Sequence, residues 1–155
     1  MDEAMWKDVA APPEKLWAMP TWLVGHVAAD ARRAVDDAFG NTSGKTDFAI
    51  LAGLDQYAPI GQAGLGRLLG INLGDLVAIL KRLEAQGLMS RSPDPDDRRR
   101  NVISITDDGR AELYRLEAAA KSAQDELLEP LSVAQRAQLV ELLQAVVEHH
   151  RDYRR

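Results

Sequence analysis

The chain has 155 residues, no cysteine and a net charge of −5, with 46% hydrophobic and 28% charged residues. This composition is ordinary for a globular domain with its own core, so it excludes an intrinsically disordered chain. The lack of cysteine excludes disulfides, thiolate metal sites and cysteine nucleophiles. No apolar run approaches the ~18 residues of a membrane span, and an acidic N-terminus is the wrong sign for a secretory signal, so we expect a cytoplasmic protein.

The first third of the chain predicts an N-terminal arm and two helices. Residues 1–15 are polar, and we expect a poorly ordered arm with a short helical piece around Met5. A long helix is predicted over residues 21–39, because apolar residues recur there every three or four positions. A glycine-rich loop follows, and either Ser43 or Thr46 is expected to cap the second helix.

The middle of the chain predicts a helix-turn-helix. Residues 60–70 predict a short helix despite its glycines, each of which costs ~1 kcal/mol relative to Ala in a helix interior. A turn at Gly70 leads to Asn72, a favoured N-cap for a second helix over residues 73–86. Gly87 is expected to end that helix, because glycine adopts the left-handed cap conformation without steric cost.

A charged hairpin follows this pair of helices. Residues 88–92 and 101–105 predict two short strands, and the segment rich in Pro and Asp between them turns the chain. Three successive arginines precede the second strand: Arg98, Arg99 and Arg100. A helix-turn-helix followed by a hairpin with arginines near its tip is the pattern of a winged helix-turn-helix.

The last third predicts two more helices. Thr106 supplies an N-cap for a long helix over residues 107–128, whose apolar residues repeat at near-heptad intervals. Ser132, with Gln135 three residues later, predicts a capping box at the start of the last helix. Together with the first long helix, these helices carry more apolar surface than a compact core of this size covers, so we expect a homodimer.

The charge distribution favours a nucleic-acid partner more than the net charge does. Residues 60–105 hold seven basic and five acidic side chains, a balance of +2, and the rest of the chain carries −7. An acidic body with a mildly basic central segment is compatible with DNA binding that is weak when non-specific and strongly dependent on salt.

Several segments resemble the multiple-antibiotic-resistance regulator (MarR) family. The matching segments are the wing residues Asp94-Pro95-Asp96-Asp97-Arg98-Arg99 with Val102-Ile103-Ser104-Ile105-Thr106 and Gly109, the helix exit Leu83-Glu84-x-x-Gly87-Leu88-x-x-Arg91, and Leu131-Ser132 before the final helix. The resemblance spans residues 21–150, and the wing is its most specific part.

The resemblance implies a mainly α fold with a small β-hairpin wing, built as one domain over residues 1–155. Residues 45–105 would form the winged helix-turn-helix lobe that binds DNA, and residues 16–40 and 107–150 the dimerisation helices. Members of the family are homodimeric transcription regulators, usually repressors. They bind pseudo-palindromic operators in double-stranded DNA and often release them on binding small, frequently aromatic, ligands.

The wing and the preceding helix supply the candidate DNA-binding residues: Asn72, Leu73, Asp75, Val77, Ala78, Lys81, Arg91, Arg98, Arg99 and Arg100. By resemblance, Asp97 binds an arginine of the wing, with Arg99 the favoured partner, and so braces the hairpin. Arg98 or Arg100 would then be free to enter a minor groove, where negative potential is concentrated. The alternative is that three arginines beside three aspartates neutralise one another on a solvated loop.

The predicted recognition helix departs from the family, which usually places hydroxylic residues and often an arginine in its first turns. Asn72 could read adenine or hold a phosphate, and Asp75 could accept a hydrogen bond from cytosine. Val77 and Ala78 can touch only thymine methyl groups, and Lys81 is a candidate phosphate contact. The departure leaves the operator and the affinity for it open.

Aromatic residues near the first helix suggest a ligand site. Trp22 and His26 are four residues apart and therefore share a helix face, with Trp17 just before them. Phe48 and Leu51 on the second helix could form the opposite wall of a cavity for a small aromatic or carboxylate ligand. The alternative is that these side chains are core or dimer contacts.

The sequence does not favour an enzyme, a metal site or a cofactor. The glycines at 61, 64 and 66 lack the G-x-G-x-x-G order, and no strand is predicted before them. His149 and His150 are adjacent and so point to different sides of a helix, which makes a poor chelate pair. The alternative to a repressor is a ligand- or protein-binding dimer on the same scaffold that has weak or lost operator recognition.

Overall fold

The computed structural model describes residues 12–40 and 42–151. The elements within them are α1 (Glu14–Trp17), α2 (Pro20–Phe39), α3 (Thr42–Tyr57), β1 (Ile60–Gly61), α4 (Gln62–Leu69), α5 (Leu73–Ala85), β2 (Met89–Pro93), β3 (Asn101–Ile105), α6 (Asp107–Leu127) and α7 (Val133–Arg151). The mainly α fold with a small hairpin is confirmed. Within the described residues no single helix is long and apolar enough to cross a membrane, and the one pair of successive helices that passes the same test together, α4 and α5, is bent by 112°.

One hydrophobic core joins α3, α4, α5 and the hairpin to the first half of α6. Each of these elements contributes at least one side chain that is buried or nearly so. The largest fully buried side chains are Ile50, Leu51, Leu54, Leu65, Leu76, Leu80, Leu83, Ile103 and Leu116. Residues from 42 to 116 therefore make a lobe, called here the DNA-binding lobe, that covers most of its own apolar surface.

The sheet has three antiparallel strands in the order β1-β3-β2. The hairpin of β2 and β3, called here the wing, pairs Met89 with Ile105 and Pro93 with Asn101 at its two ends. On the other side of β3, Ile60 pairs with Ile103. The sequence placed residue 60 in a helix, and this was wrong because a two-residue strand has no periodicity to detect. A strand thus precedes the glycine cluster, but it is antiparallel and belongs to no βαβ unit.

The long helices lie where the sequence placed them, whereas the connection between α2 and α3 is tighter. Gly40 ends α2 in the left-handed conformation with φ of 69°. The helix α3 already begins at Thr42, so Ser43 and Thr46 lie inside it and neither is its N-cap. A Cβ on Gly44 would lie 2.6 Å from the Cβ of Phe39, so the close approach of the two helices requires glycine there. The short helix predicted around Met5 lies outside the described residues.

A compact joint fixes the start of α6 against the end of the preceding helix pair. The hydroxyl of Thr106 donates to the carbonyl of Gly87 at 2.6 Å and accepts from the amide of Gly109 at 3.0 Å. A Cβ on Gly109 would lie 2.0 Å from the carbonyl oxygen of Leu88, which leaves room only for glycine. The predicted N-cap is confirmed, and it also sets how α6 leaves the DNA-binding lobe.

The last helix leaves the body of the molecule. The predicted capping box is confirmed, because the side chain of Gln135 accepts from the amide of Ser132 at 2.9 Å and the Ser132 hydroxyl accepts from Gln135 at 3.3 Å. Arg136 then donates to the carboxylate of Asp125 at 2.9 Å, which fixes the turn from α6. Every residue from 140 to 150 is exposed, so the apolar residues in this part of α7 are not covered by any part of the chain that the structure describes.

Candidate nucleic-acid interface

The helix α5 buries one face and offers the other to solvent. Leu76, Leu80 and Leu83 recur at four and three residues and are fully buried in the core. The residues on the opposite face are Gly74, Ala78, Lys81 and Ala85, and all are exposed. This exposed face is smooth because three of its four side chains are no larger than a methyl group.

Asn72 and Asp75 bind each other at the start of α5. The Asn72 side-chain oxygen accepts from the amide of Asp75 at 2.9 Å, and the Asn72 side-chain nitrogen donates to the Asp75 carboxylate. The predicted N-cap role of Asn72 is confirmed, and the cap satisfies one of the free amides of the first turn. Both side chains therefore take part in the helix start, and the contact of Asn72 with adenine stays a prediction.

The aspartates of the wing organise its tip. Asp94 accepts from the amide of Asp96 at 2.9 Å, and Asp97 accepts from the amide of Arg99 at 3.0 Å. The second oxygen of Asp97 lies 3.4 Å from Nε of Arg100. The expectation that Asp97 pairs with the Arg99 side chain is therefore wrong. Only the Arg99 amide is used, because the tight turn brings the guanidinium three residues on, rather than two, over the carboxylate.

Two of the three wing arginines carry free charges. Arg98 and Arg99 are exposed, and neither forms an ion pair with any residue that the structure describes. Arg100 is the partner of Asp97, although its side chain remains 78% exposed. Of the three wing arginines, Arg100 alone is paired with an aspartate of the loop, within the residues that the structure describes. Two cations therefore remain available at the tip.

Arg91 joins three elements rather than facing solvent. Its Nε donates to Glu84 of α5 at 2.9 Å, and its Nη1 donates to Gln62 at the start of α4 at 3.1 Å. The side chain is 24% exposed. These bonds give Arg91 a structural role, because they hold the base of the wing against both helices of the helix-turn-helix, and its contact with DNA stays a prediction.

A second ion pair, which the sequence did not reveal, holds α5 from its other side. Nη1 of Arg82 donates to the carboxylate of Asp47 on α3 at 2.9 Å, and the second guanidinium nitrogen binds the other oxygen. The hydrogen bond that Arg82 donates to Asp47 raises the pKa of the Arg82 guanidinium above its ordinary value. The two residues are 35 positions apart, and no local pattern links positions so far apart in sequence.

Two further cations lie beside the exposed face of α5. Lys81 is exposed and forms no ion pair within the described part of the chain, as its candidate role as a phosphate contact requires. Arg67 of α4, which was missed, lines an open cleft of about 470 Å³ together with Asn72 and Leu73. Its position in the last turn of α4 could have indicated this site, because that turn faces the start of the next helix.

The five candidate ligand residues fall into two separate places. Trp22 stacks on His26 with ring centroids 3.8 Å apart, and Trp17 meets Trp22 edge-on at 5.9 Å. Phe48 instead packs on Phe39 at 6.0 Å, at the far end of α2. Trp22 and Phe39 are separated by 17 residues of α2, about 26 Å along the helix axis.

The prediction of one cavity lined by all five residues within one chain is therefore wrong. Leu51 is fully buried in the core and cannot touch a ligand. Across residues 12–40 and 42–151, no group of three or more His, Asp or Glu side chains converges in a way that could hold a metal ion.

A helix-turn-helix followed by a hairpin with free arginines at its tip defines a winged helix-turn-helix protein. The MarR family model matches residues 45–100, which run from α3 to the tip of the wing. A probable transcriptional regulator from Pseudomonas aeruginosa, known from its crystal structure, is 32% identical with a TM-score of 0.71 over 84% of this chain and 98% of that chain. The chain belongs to the MarR family.

Two further relatives carry more specific names. The HTH-type transcriptional repressor NicR of Pseudomonas putida is 28% identical over 101 residues, which are 65% of this chain and 64% of NicR. A mutant of MarR from E. coli, solved in a complex with operator DNA, is 25% identical with a TM-score of 0.66 over 80% of this chain and 90% of that chain.

Proposed function

We propose that this protein is a homodimeric transcriptional regulator that binds a pseudo-palindromic DNA site and represses transcription from it. The observation that carries the proposal is the pair of cations, Arg98 and Arg99, that form no ion pair within the described residues and lie at the tip of a wing whose base is bonded to α5 through Arg91 and Glu84. The exposed face of α5 enters a major groove, and the wing follows the backbone into the flanking minor groove. Lys81 and Arg67 supply phosphate contacts on either side of the helix.

The dimer follows from the apolar surface that one chain leaves uncovered. On α7, Val140, Leu143 and Val147 recur at three and four residues along one exposed face. Near the start of α2, Trp17 and Val24 are more than half exposed as well. Exposed apolar side chains grouped along one helix face mark an interaction site. A two-fold axis through these helices would set two α5 helices about one turn of DNA apart, ~34–36 Å or a near multiple.

Repression and its relief by a small ligand are the finer part of the proposal. They are supported by the name of NicR, by the operator complex of the E. coli relative and by the family's usual response to ligands. We place the effector against Trp17, Trp22 and His26, at the end of α2 that the dimer covers. A ligand there would contact both protomers and would shift the dimer only through its differential affinity for the DNA-bound and free forms.

The test is selection of bound sequences from a random pool of duplex DNA with the full chain at low salt. We expect an enriched sequence with two inverted half-sites. Exchange of Arg98 and Arg99 for Ala should then weaken binding to that site and flatten its salt dependence, by about 0.9 in the slope of log K against log [salt] for each phosphate charge no longer neutralised.

A matched control removes two cations elsewhere. Arg115→Ala with Lys121→Ala changes the net charge by the same amount on α6, away from the wing, and should leave the slope close to that of the wild type. An unchanged slope in the wing variant would remove the wing from the interface.

A dimer that binds a ligand or another protein and has lost operator recognition is the competing function. The carboxylate of Asp75 at the head of α5 and the small side chains behind it are the observations that favour it. This competing function predicts that no DNA sequence is enriched at any salt concentration. That result would overturn the proposal that the protein is a repressor.

A further inference from the structure

The first two turns of α5 contain two polar side chains, and the other side chains there are apolar or absent. The two polar residues, Asn72 and Asp75, are exposed and hydrogen-bonded to each other, which holds both at the helix start. The next polar side chain that is free to bond outward is Lys81, eight residues after Leu73 and about 12 Å along the axis. The part of the helix that enters a groove first thus offers no hydroxyl, and its one side-chain amide is already bonded within the helix start.

What this part of the helix offers is apolar surface, and Leu73 provides most of it. Leu73 is the first residue of α5 and is 56% exposed, although it borders a cleft that also contains Arg67. Val77, four residues on, lies on the same side of the helix and is half-buried. Burial of an exposed leucine at the start of a helix is favourable when the group that covers it is also apolar.

The apolar group by which a base is recognised in the major groove is the C5-methyl group of thymine. The other groups by which the bases are distinguished there are hydrogen-bond donors and acceptors, and Leu73 can satisfy none of them. Residues at the N-terminal end of a recognition helix are those that reach base edges. The chemistry of the position therefore matches one base and disfavours the other three.

We propose that Leu73 determines the sequence specificity of this protein by packing against a thymine methyl group in each half-site, while the bonded pair Asn72 and Asp75 holds the helix start. This inference rests on the proposed operator binding. Each methyl group buried on Leu73 contributes about a fourfold gain in affinity, since burial of one methylene-sized group is worth ~0.8 kcal/mol. The two half-sites together contribute roughly fifteenfold.

The test uses the operator obtained by selection and replaces its thymines by uracil, one symmetric pair at a time. Uracil keeps every hydrogen-bonding group of thymine and lacks only the methyl. We expect one or two symmetric pairs at which uracil weakens binding by the wild type about fifteenfold, because each pair removes one methyl group from each half-site. Exchange of that thymine for 5-methylcytosine, with guanine opposite, should retain more affinity than exchange for cytosine.

Protein variants assign the effect to Leu73. Leu73→Ala should bind thymine and uracil sites alike, and Leu73→Met, which keeps an apolar side chain of similar size, should restore the preference for thymine. Asn72→Ser keeps an N-cap and should leave the selected sequence unchanged, whereas a base-reading Asn72 would change it.

The outcomes separate the two proposals. If an operator is selected but uracil has no effect at any position, or if Leu73→Ala keeps the uracil effect, the assignment of Leu73 is wrong and operator binding stands. If no operator is selected, the proposed function falls and the assignment with it.

Discussion

The DNA-binding lobe and the last helix, α7, differ in how much of their apolar surface is buried within one chain. In the lobe, residues such as Leu54, Leu65 and Leu80 are fully buried within one chain. On α7, Leu142 and Val147 are 60% exposed, and the helix packs closely on no described element. The difference indicates that the lobe is stabilised by burial within one chain, whereas the apolar face of α7 stays open and is the surface that the proposed dimer would cover.

The largest effect is expected from a cavity in the lobe. Leu54→Ala should lower the free energy of unfolding by about 2–5 kcal/mol, because the side chain is fully buried and the surrounding core relaxes only in part. Urea denaturation of both proteins measures it. As a control, Leu142→Ala should leave the lobe's unfolding transition within about 0.5 kcal/mol. Equal losses for both variants would contradict the contrast between the two regions.

Charges placed on the apolar face of α7 should separate the dimer without unfolding the lobe. Leu143→Glu with Val147→Glu is expected to raise the dimer dissociation constant by at least about a hundredfold, roughly 2.7 kcal/mol, because two carboxylates from each protomer would have to be desolvated at the interface. Sedimentation measures the association, and circular dichroism checks the fold.

The control for this experiment adds the same two charges to the other side of the helix. Gln138→Glu with Ala145→Glu lies on the polar face by helical spacing and should stay dimeric. If both double variants remain dimers, α7 is not the interface.

A smaller effect is expected at the joint between the two regions. Gly109→Ala places a methyl group 2.0 Å from the carbonyl oxygen of Leu88, so the start of α6 must shift away from the base of the wing. We expect a loss of about 1–3 kcal/mol in stability, as for other overpacked sites. Gly25→Ala is the matched control, because a Cβ there meets nothing within 4 Å. Equal stability of the Gly109 variant and the wild type would show that the joint is not rigid.

The smallest effect is expected at the wing. Asp97→Ala removes the bonds to the Arg99 amide and the Arg100 guanidinium, both of which are largely exposed. The wing should loosen, so that affinity for the selected operator falls by about fivefold, close to 1 kcal/mol, while stability and dimerisation stay unchanged. Fluorescence anisotropy with labelled operator measures the affinity. Loss of the dimer in this variant would contradict a role confined to the wing.

The sequence predicted the elements of the fold well because their signals are local. An N-cap such as Asn72 or Thr106 and a left-handed glycine such as Gly87 act within one turn of a helix, so they can be identified without knowledge of distant residues. It failed at β1, where two residues gain strand geometry only by pairing with Ile103 some forty positions away.

The candidate site was predicted less well than the fold. Residue types indicated which side chains are charged, but not which of them are already bound within the chain. Arg91 and Arg98 look alike in the sequence, yet the first is bonded to two side chains of the helix pair and the second is free. Trp22 and Phe48 both suggest a cavity, and only the length of α2 shows that they are far apart.

The sequence by itself determined the succession of helices, the turn between α4 and α5, the hairpin with its arginines and the resemblance to the MarR family, because each depends on neighbours within a few residues. Only the tertiary structure decided which charges remain available and which apolar surface remains open. Those properties depend on contacts between residues far apart in the chain, such as Arg82 with Asp47, and no local pattern encodes them.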